Sequence, residues 1–218
     1  MTNLFKIQQP KIPQNLISAS FEEWKEDRYF NKCIIKDCAI KDCAIIGEEI
    51  ERLKFDQVVF ENVSFVDVNF RFVELVDVVF NKCDLSNTEF CNGSVHRVEF
   101  KHSKMLGLNL ADATLRNVVL EECQANFASF SYAELKQVKF LQCAIQSGDF
   151  YECQLDKVQF NQCNLDEANF EGTSLNGIDL SSCEFHELKV SAEKLAGCTV
   201  SEEQAIAFSR LLGLNIKE

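Results

Sequence analysis

The amino-acid sequence predicts an all-β fold in which the chain coils into a four-sided parallel β-helix of about eight coils, with a short N-terminal cap and a C-terminal helix. The main observation is a five-residue period. Every fifth position from Phe30 to Val190 is apolar, and among them only Ala125 is small. This period fits neither the 3.6 residues of an amphipathic helix nor the 2.0 of a half-buried strand.

A second inward position lies two residues before each apolar centre. It carries small or β-branched side chains, as at Val58, Ala113 and Cys163, whereas the other three positions of each pentad are mostly polar. Two inward and three outward positions in every five residues are typical of a short straight segment followed by a turn. Stacked repeats of this kind bury one continuous core that no single repeat could bury alone.

Cysteines indicate how many pentads form one coil. Six of them are separated by multiples of twenty residues: Cys43, Cys83, Cys123, Cys143, Cys163 and Cys183. Four pentads per coil stack these thiols in one column. We number the four faces by their pentad centres: the first from 35 to 175, the second from 40 to 180, the third from 45 to 185 and the fourth from 50 to 190. With strands about 4.8 Å apart, the shaft is on the order of 40 Å long.

The sequence divides into three segments: a lead-in with a capping helix (1–29), the repeat (30–190) and a C-terminal capping and dimerisation segment (191–218). Pro10 and Pro13 predict an extended lead-in, and the run from Ser20 to Glu23 is a capping box for a helix around Trp24. We expect this helix to close the first coil.

The C-terminal segment contains a second capping box, Ser201 to Gln204, before an apolar helix that we expect to end at Gly213. Its apolar side chains exceed what one last coil can cover. We therefore predict a homodimer through this segment. The predicted interface residues are Ile206, Phe208, Leu211, Leu212, Leu214 and Ile216.

Several triplets resemble the A(D/N)LXX pattern of pentapeptide repeat proteins, among them Cys83-Asp84-Leu85, Cys163-Asn164-Leu165 and Ala168-Asn169-Phe170. The resemblance implies a right-handed quadrilateral β-helix over about three quarters of the chain. Such repeats occur in proteins of many roles, so the fold alone does not define a function.

The nearly unbroken repeat, the C-terminal helix and the Leu-Gly-Leu tail resemble the Qnr group and its mycobacterial relative MfpA. This resemblance implies a tip-to-tip dimer, binding to DNA gyrase and topoisomerase IV, and protection of these enzymes from fluoroquinolones. Because the period stays in phase from Phe30 to Val190, there is no room for projecting loops. The chain is similar to the loop-free, Gram-positive type of Qnr protein.

The net charge of −12 is unevenly distributed over the four faces. The third and fourth faces sum to −10, whereas the first and second hold twelve acids and ten bases and sum to −2. We expect these acidic faces to bind a basic groove on a partner, with no direct binding of nucleic acid. The candidate residues are Asp67, Asp84, Asp166, Glu167, Glu48, Glu49, Glu89, Asp112, Asp149 and Glu152.

Catalytic and metal sites are not expected. The three histidines, His96, His102 and His186, occupy outward positions on different faces without a nucleophile at a motif spacing. Cys33, Cys38 and Cys43 lie on successive faces, too far apart for one tetrahedral zinc. No cofactor is expected either.

A polar N-terminus and the absence of a long apolar run favour a cytoplasmic protein without membrane contact. Two alternatives to topoisomerase protection remain open. One is a scaffolding solenoid with an unrelated partner, whose acidity serves solubility. The other is immunity to a gyrase-directed peptide toxin.

Packing beside Ala125 requires a neighbour to fill the space that a large side chain would occupy. We expect Phe127 or Met105 to do so.

Overall fold

The computed structural model describes residues 5–26 and 33–209, together with Leu211 and Gly213. Seven eight-residue strands recur at twenty-residue intervals and form most of one parallel sheet. In chain order the elements are β1 (Ile17–Ser18), α1 (Phe21–Glu26), β2 (Ile34–Lys41), β3 (Ala44–Ile46), β4 (Lys54–Glu61), β5 (Ser64–Val66), β6 (Glu74–Asn81), β7 (Ser94–Lys101), β8 (Thr114–Glu121), β9 (Glu134–Leu141), β10 (Gln154–Asn161), a 3₁₀ helix (Ala192–Leu195) and α2 (Glu202–Ser209).

Each coil contains twenty residues, as the cysteine spacing predicted. In β4 and β6, for example, Phe60 pairs with Phe80, and β3 pairs with β5 in the same register. Single parallel bridges with the same offset continue along the fourth face, from Glu49 with Asn69 onward. The last bridge joins Asp179 to Thr199, so the coil geometry extends beyond the predicted boundary at Val190.

Stacked phenylalanine rings fill the interior. The rings of Phe60, Phe80 and Phe100 stack at 4.8 and 4.9 Å with nearly parallel planes, and Phe140 and Phe160 resume the column at 4.8 Å. This spacing equals the distance between parallel strands, so one ring per coil fits without a gap. Full burial of each ring stabilises the fold by about 1.5–3 kcal/mol.

The corners between faces depend on the third outward position of each pentad. From Asp37 to Gly177 every fifth residue has a positive φ of about 50–80°. On the fourth face Phe72 has φ +59°, and the Val73 N–H donates to the Phe70 carbonyl at 3.2 Å, as in a type II turn. These turns direct the chain from one face to the next.

Helix α1 closes the first coil as predicted. Phe21 is buried and packs against Phe70, with ring centroids 6.1 Å apart, and the Trp24 indole N–H donates to the Ile34 carbonyl at 3.1 Å. The Glu23 N–H lies 3.5 Å from the Ser20 hydroxyl, a long capping contact. A cap at each end is what a solenoid requires to cover its terminal coils.

At the other end, both reciprocal hydrogen bonds of the predicted capping box are formed. The Ser201 N–H donates to the Gln204 carboxamide at 2.9 Å, and the Gln204 N–H donates to the Ser201 hydroxyl at 3.2 Å. Helix α2 ends at Ser209, earlier than expected, so Leu211 lies outside it. Leu212, Leu214 and Ile216 fall outside the described residues.

The space beside Ala125 is not filled by Phe127. The Phe127 side chain is 63% exposed, because its positive φ of +59° directs it away from the core. Met105, one coil before Ala125, is fully buried in the same column.

Candidate partner-binding faces

Acidic side chains on the fourth face alternate with amides along one column. The bridged positions run Glu49, Asn69, Glu89, Asn109, Ser129, Asp149, Asn169 and Lys189. The Asn109 amide donates to the Glu89 carboxylate at 2.7 Å, and the Asn169 amide donates to Asp149 at 2.9 Å. Successive carboxylates in this column are two or three coils apart, or about 9.6 to 14 Å, which is close to or beyond one Debye length, so like-charge repulsion is small.

Four further acids stand at corners, where a positive φ turns the side chain outward. Asp67, Asp112, Glu152 and Glu167 have φ between +49° and +59°, and all four are exposed. Among the described residues none of them forms a salt bridge, although Glu167 accepts a hydrogen bond from the Ser147 hydroxyl at 3.1 Å. These carboxylates are available to a basic partner.

The other predicted acids, except Glu49, have side-chain contacts within the protein. Asp84 accepts from the Ser86 N–H at 3.1 Å and lies 4.0 Å from the Lys104 ammonium. Asp166 accepts the His186 N–H at 2.7 Å, and this hydrogen bond holds the pKa of Asp166 below its usual value. Glu48 is buried and pairs with Lys25, so it is the least accessible of the ten. Glu49 is exposed.

Charges on the first and second faces compensate one another. Lys54 pairs with Asp56 at 3.0 Å, Lys101 with Glu99 at 2.7 Å and Lys136 with Asp156 at 3.3 Å. The charge imbalance therefore lies on the third and fourth faces.

Exposed apolar side chains accompany the acids, a feature that the charge count did not reveal. Ile46, Val66, Leu106 and Phe127 are exposed on the third face. On the fourth face the rings of Tyr132 and Tyr151 meet edge to face at 5.4 Å. Aromatic and apolar anchors among polar groups are typical of protein interfaces. They could have been found by searching the outward pentad positions for apolar residues.

The predicted dimer residues are partly exposed where the structure describes them. Ile206 is 53% exposed and Leu211 45% exposed, whereas Phe208 packs against Phe185 at 5.5 Å. Leu211 also borders an apolar groove lined by Leu195, Val200 and Phe208.

The buried thiols of Cys83 and Cys153 are unreactive core groups. Burial raises the pKa of Cys83 to about 11 and that of Cys153 to about 12, so both remain protonated. Cys33 and Cys43, predicted to point inward, are exposed, because they lie in the first coil, where the stack ends.

No group of three or more histidine, cysteine or acidic side chains in the described residues is arranged to hold a metal ion. His102 lies 3.1 Å from Glu122, and His186 lies 3.4 Å from Asp166. His96 contacts Arg97. Within the part of the chain that the structure covers, no helix is long and apolar enough to cross a membrane.

Family models identify the repeat. Residues 54–92 match "Pentapeptide repeats (8 copies)", and residues 93–170 match "Pentapeptide repeat region". Together they span more than half of the chain, which therefore belongs to the pentapeptide repeat family.

Among known proteins, the chain is similar to the uncharacterized protein YisX of Bacillus subtilis (strain 168). The two are 52% identical over 211 residues, or 97% of this chain and 98% of YisX. Two solved structures are similar to the chain at low identity. A trypsin-treated variant of QnrB1, a plasmid-mediated fluoroquinolone resistance protein, is 20% identical with a TM-score of 0.45, covering 85% of this chain and 92% of QnrB1. HetL, which is involved in heterocyst differentiation regulation in Nostoc sp. strain PCC 7120, is 11% identical with a TM-score of 0.49. The match covers 84% of this chain and 92% of HetL.

Proposed function

We propose that this pentapeptide repeat protein is a partial mimic of duplex DNA that binds the type II topoisomerases DNA gyrase and topoisomerase IV and protects them from fluoroquinolones. One observation carries the proposal. Two adjacent faces of a four-sided rod carry most of the net negative charge and include exposed corner carboxylates without a salt bridge in the described residues, whereas six of the acids on the other two faces pair with a basic side chain. A one-sided acidic rod complements a basic groove that normally holds DNA.

The magnitude of the charge limits the mimicry. B-DNA carries one negative charge per roughly 1.7 Å, or about 23 charges over 40 Å, roughly twice the net charge of the whole chain. Electrostatics alone would therefore give weaker binding than DNA. The exposed Leu106, Phe127 and Tyr132 side chains supply apolar contacts that DNA lacks.

The shape of the shaft supports the same proposal. The twenty-residue register continues without an insertion from Ile34 to Lys189, which leaves a smooth surface without projecting loops. A C-terminal homodimer would join two shafts end to end through Ile206, Phe208 and Leu211, with Leu212, Leu214 and Ile216 from the tail. Such a dimer doubles the length of acidic surface offered to a twofold enzyme.

The proposed action is occupancy of a groove, so it needs no catalytic centre. The protein would act in the cytoplasm, where bacterial topoisomerases work on DNA.

The proposal is tested by adding increasing amounts of this protein to purified DNA gyrase that is inhibited by ciprofloxacin, and measuring DNA supercoiling. We expect the protein to restore supercoiling at low micromolar concentration, and its affinity for gyrase to fall as salt rises from 50 to about 300 mM. Absence of rescue, together with absence of binding to either topoisomerase at low salt, would exclude this function.

A further inference from the structure

Residues 5–18 follow the corner between the first and second faces, on the side of the shaft away from the acidic faces. We call residues 5–13 the strap. It descends across successive coils: Lys6 lies beside Gln137, Gln8 beside Asn117, and Lys11 beside Asp77. Below the strap, β1 pairs with β2. The strap thus runs along the axis of the solenoid, perpendicular to the coils.

A column of polar side chains binds the strap through its backbone. The Gln8 N–H donates to the Asn117 amide oxygen at 3.0 Å, and the Lys11 N–H donates to the Asp77 carboxylate at 2.8 Å. The Gln137 and Gln57 amides donate to the Lys6 and Lys11 carbonyls at 3.1 and 3.0 Å. This set of contacts recognises an extended backbone rather than particular side chains.

The spacing of the column matches a polyproline II helix. Such a helix has three residues per turn and a rise of about 3.1 Å, which gives about 9.3 Å per turn. Two coils of the solenoid span about 9.6 Å. Gln8 and Lys11 are three residues apart, and their acceptors Asn117 and Asp77 are two coils apart. Pro10 and Pro13 form a Pro-x-x-Pro sequence in the same segment.

The acceptor Asp77 is also held by a neighbouring side chain of the shaft. The Arg97 guanidinium donates two hydrogen bonds to Asp77, at 2.5 and 2.6 Å. Burial alone would raise the pKa of Asp77, but hydrogen bonds from Arg97 and the Lys11 N–H hold it below its usual value. Asp77 is 4% exposed and Asn117 1% exposed. Within the described residues the Asn117 amide nitrogen has no hydrogen-bond partner, so the column retains one unused donor.

We propose that this corner is a binding site for a polyproline II peptide of the Pro-x-x-Pro type, and that the strap is its resident ligand, which controls access from solution. The proposal goes beyond topoisomerase binding and uses different faces. Four hydrogen bonds join the polar column to the strap backbone, whereas the side chains of Lys6, Gln8 and Lys11 are exposed, so exchange with a peptide from solution is feasible.

The test uses the full-length chain with Gln8→Pro and Lys11→Pro together. Proline preserves an extended backbone but removes both N–H donors, and neither residue contributes to the core. Gln9→Pro is the control, because the Gln9 N–H donates to no group in the described part of the chain. Hydrogen exchange should show a released strap in the double variant and a protected one in the control.

A fluorescein-labelled peptide with the sequence of residues 5–16 then serves as the probe, measured by fluorescence anisotropy. We expect it to bind the double variant at least about tenfold more tightly than wild type, where the attached strap competes at millimolar effective concentration. The same peptide N-methylated at the Gln8 and Lys11 positions should not bind. Adding Asn117→Gly, which suits the positive φ of +56° at this position, should weaken binding of the unmodified peptide.

Three results would overturn the proposal. The first is a strap that stays protected in the double variant. The second is no peptide binding to that variant at 1 mM peptide. The third is equal binding of the methylated and unmethylated peptides.

Discussion

At the scale of single residues, the corner position determines how the chain turns between faces. Most residues there are not glycine, although the left-handed conformation costs an L-residue about 1–2 kcal/mol. Asn and Asp adopt it more readily than bulky side chains do. Replacing an apolar corner residue by asparagine or aspartate should therefore change the stability of the protein without altering its core.

Phe127→Asn should stabilise the protein by up to about 1 kcal/mol. Phe127 has φ +59° and is largely exposed, so asparagine relieves strain and loses little burial. The opposite kind of change, from asparagine to an apolar residue, is Asn92→Val at an equivalent corner. It should destabilise the protein by about 1–2 kcal/mol, because a β-branched side chain is strained at the φ of +58° that Asn92 adopts. Thermal unfolding monitored by circular dichroism checks both. Equal melting temperatures for the two variants would contradict this account of the corners.

The sequence predicted the burial of side chains that recur with the five-residue period. It did not predict the burial of side chains that contact a segment distant in the sequence. The inward columns follow from the period alone, and Phe60, Phe80 and Phe100 are buried as predicted. Asp77 and Asn117 occupy outward positions in the same pattern, yet both are buried. The strap that covers them is 66 and 109 residues away in the sequence, and no local pattern indicates that contact.

At the scale of elements, the C-terminal helix seals the last coil through one side chain. The Gln204 amide donates to the Leu180 and Cys183 carbonyls at 2.9 and 2.8 Å and is buried. Local sequence predicted the capping box, since its partners are three residues apart. It did not predict these two contacts, because they join the helix to a coil more than twenty residues earlier.

Gln204→Leu should loosen this cap and destabilise the protein by about 1–3 kcal/mol. It removes the side-chain donor to the Cys183 carbonyl and one of the two donors to the Leu180 carbonyl, which still accepts the Cys183 N–H, and it removes the acceptor of the Ser201 N–H. Hydrogen exchange should be faster over residues 175–209 and unchanged near β4. Glu203→Gln, on the exposed side of the same helix, is the control. Uniform loss of protection along the shaft would show that the cap does not act locally.

The proposed dimer rests on exposed apolar residues of the same segment. Ile206→Glu combined with Leu211→Glu places charges where burial in a dimer would be costly, while each side chain stays solvated in a monomer. Light scattering should give a mass of about 50 kDa for wild type, twice the chain mass of 24.9 kDa, and the chain mass for the variant. Glu202→Gln with Glu203→Gln is the control and should remain dimeric. A wild-type monomer, or a variant that stays dimeric, would contradict the proposed interface.

At the scale of the whole molecule, sequence alone predicted the four-faced coil and the charge asymmetry, because both follow from one strict period. It did not predict that Glu48 is buried or that Asp166 accepts backbone hydrogen bonds, since these depend on α1 and on the last coil. The corner acids Asp67, Asp112 and Glu152 are therefore better probes of a partner than acids with structural contacts.

The most direct measurement compares two triple charge reversals in ciprofloxacin-inhibited gyrase supercoiling. One changes Asp67, Asp112 and Glu152 to Lys on the acidic faces. The other changes Glu74, Glu134 and Asp156 to Lys on the first face, where all three are exposed. Both alter the net charge by the same six units, and circular dichroism confirms folding of each.

We expect the acidic-face variant to need about tenfold more protein or more for rescue, mainly through slower association, and the first-face variant to stay within about threefold of wild type. Equal loss in both variants would show that bulk charge rather than the acidic faces governs protection. Unchanged rescue by both would contradict recognition through these faces altogether.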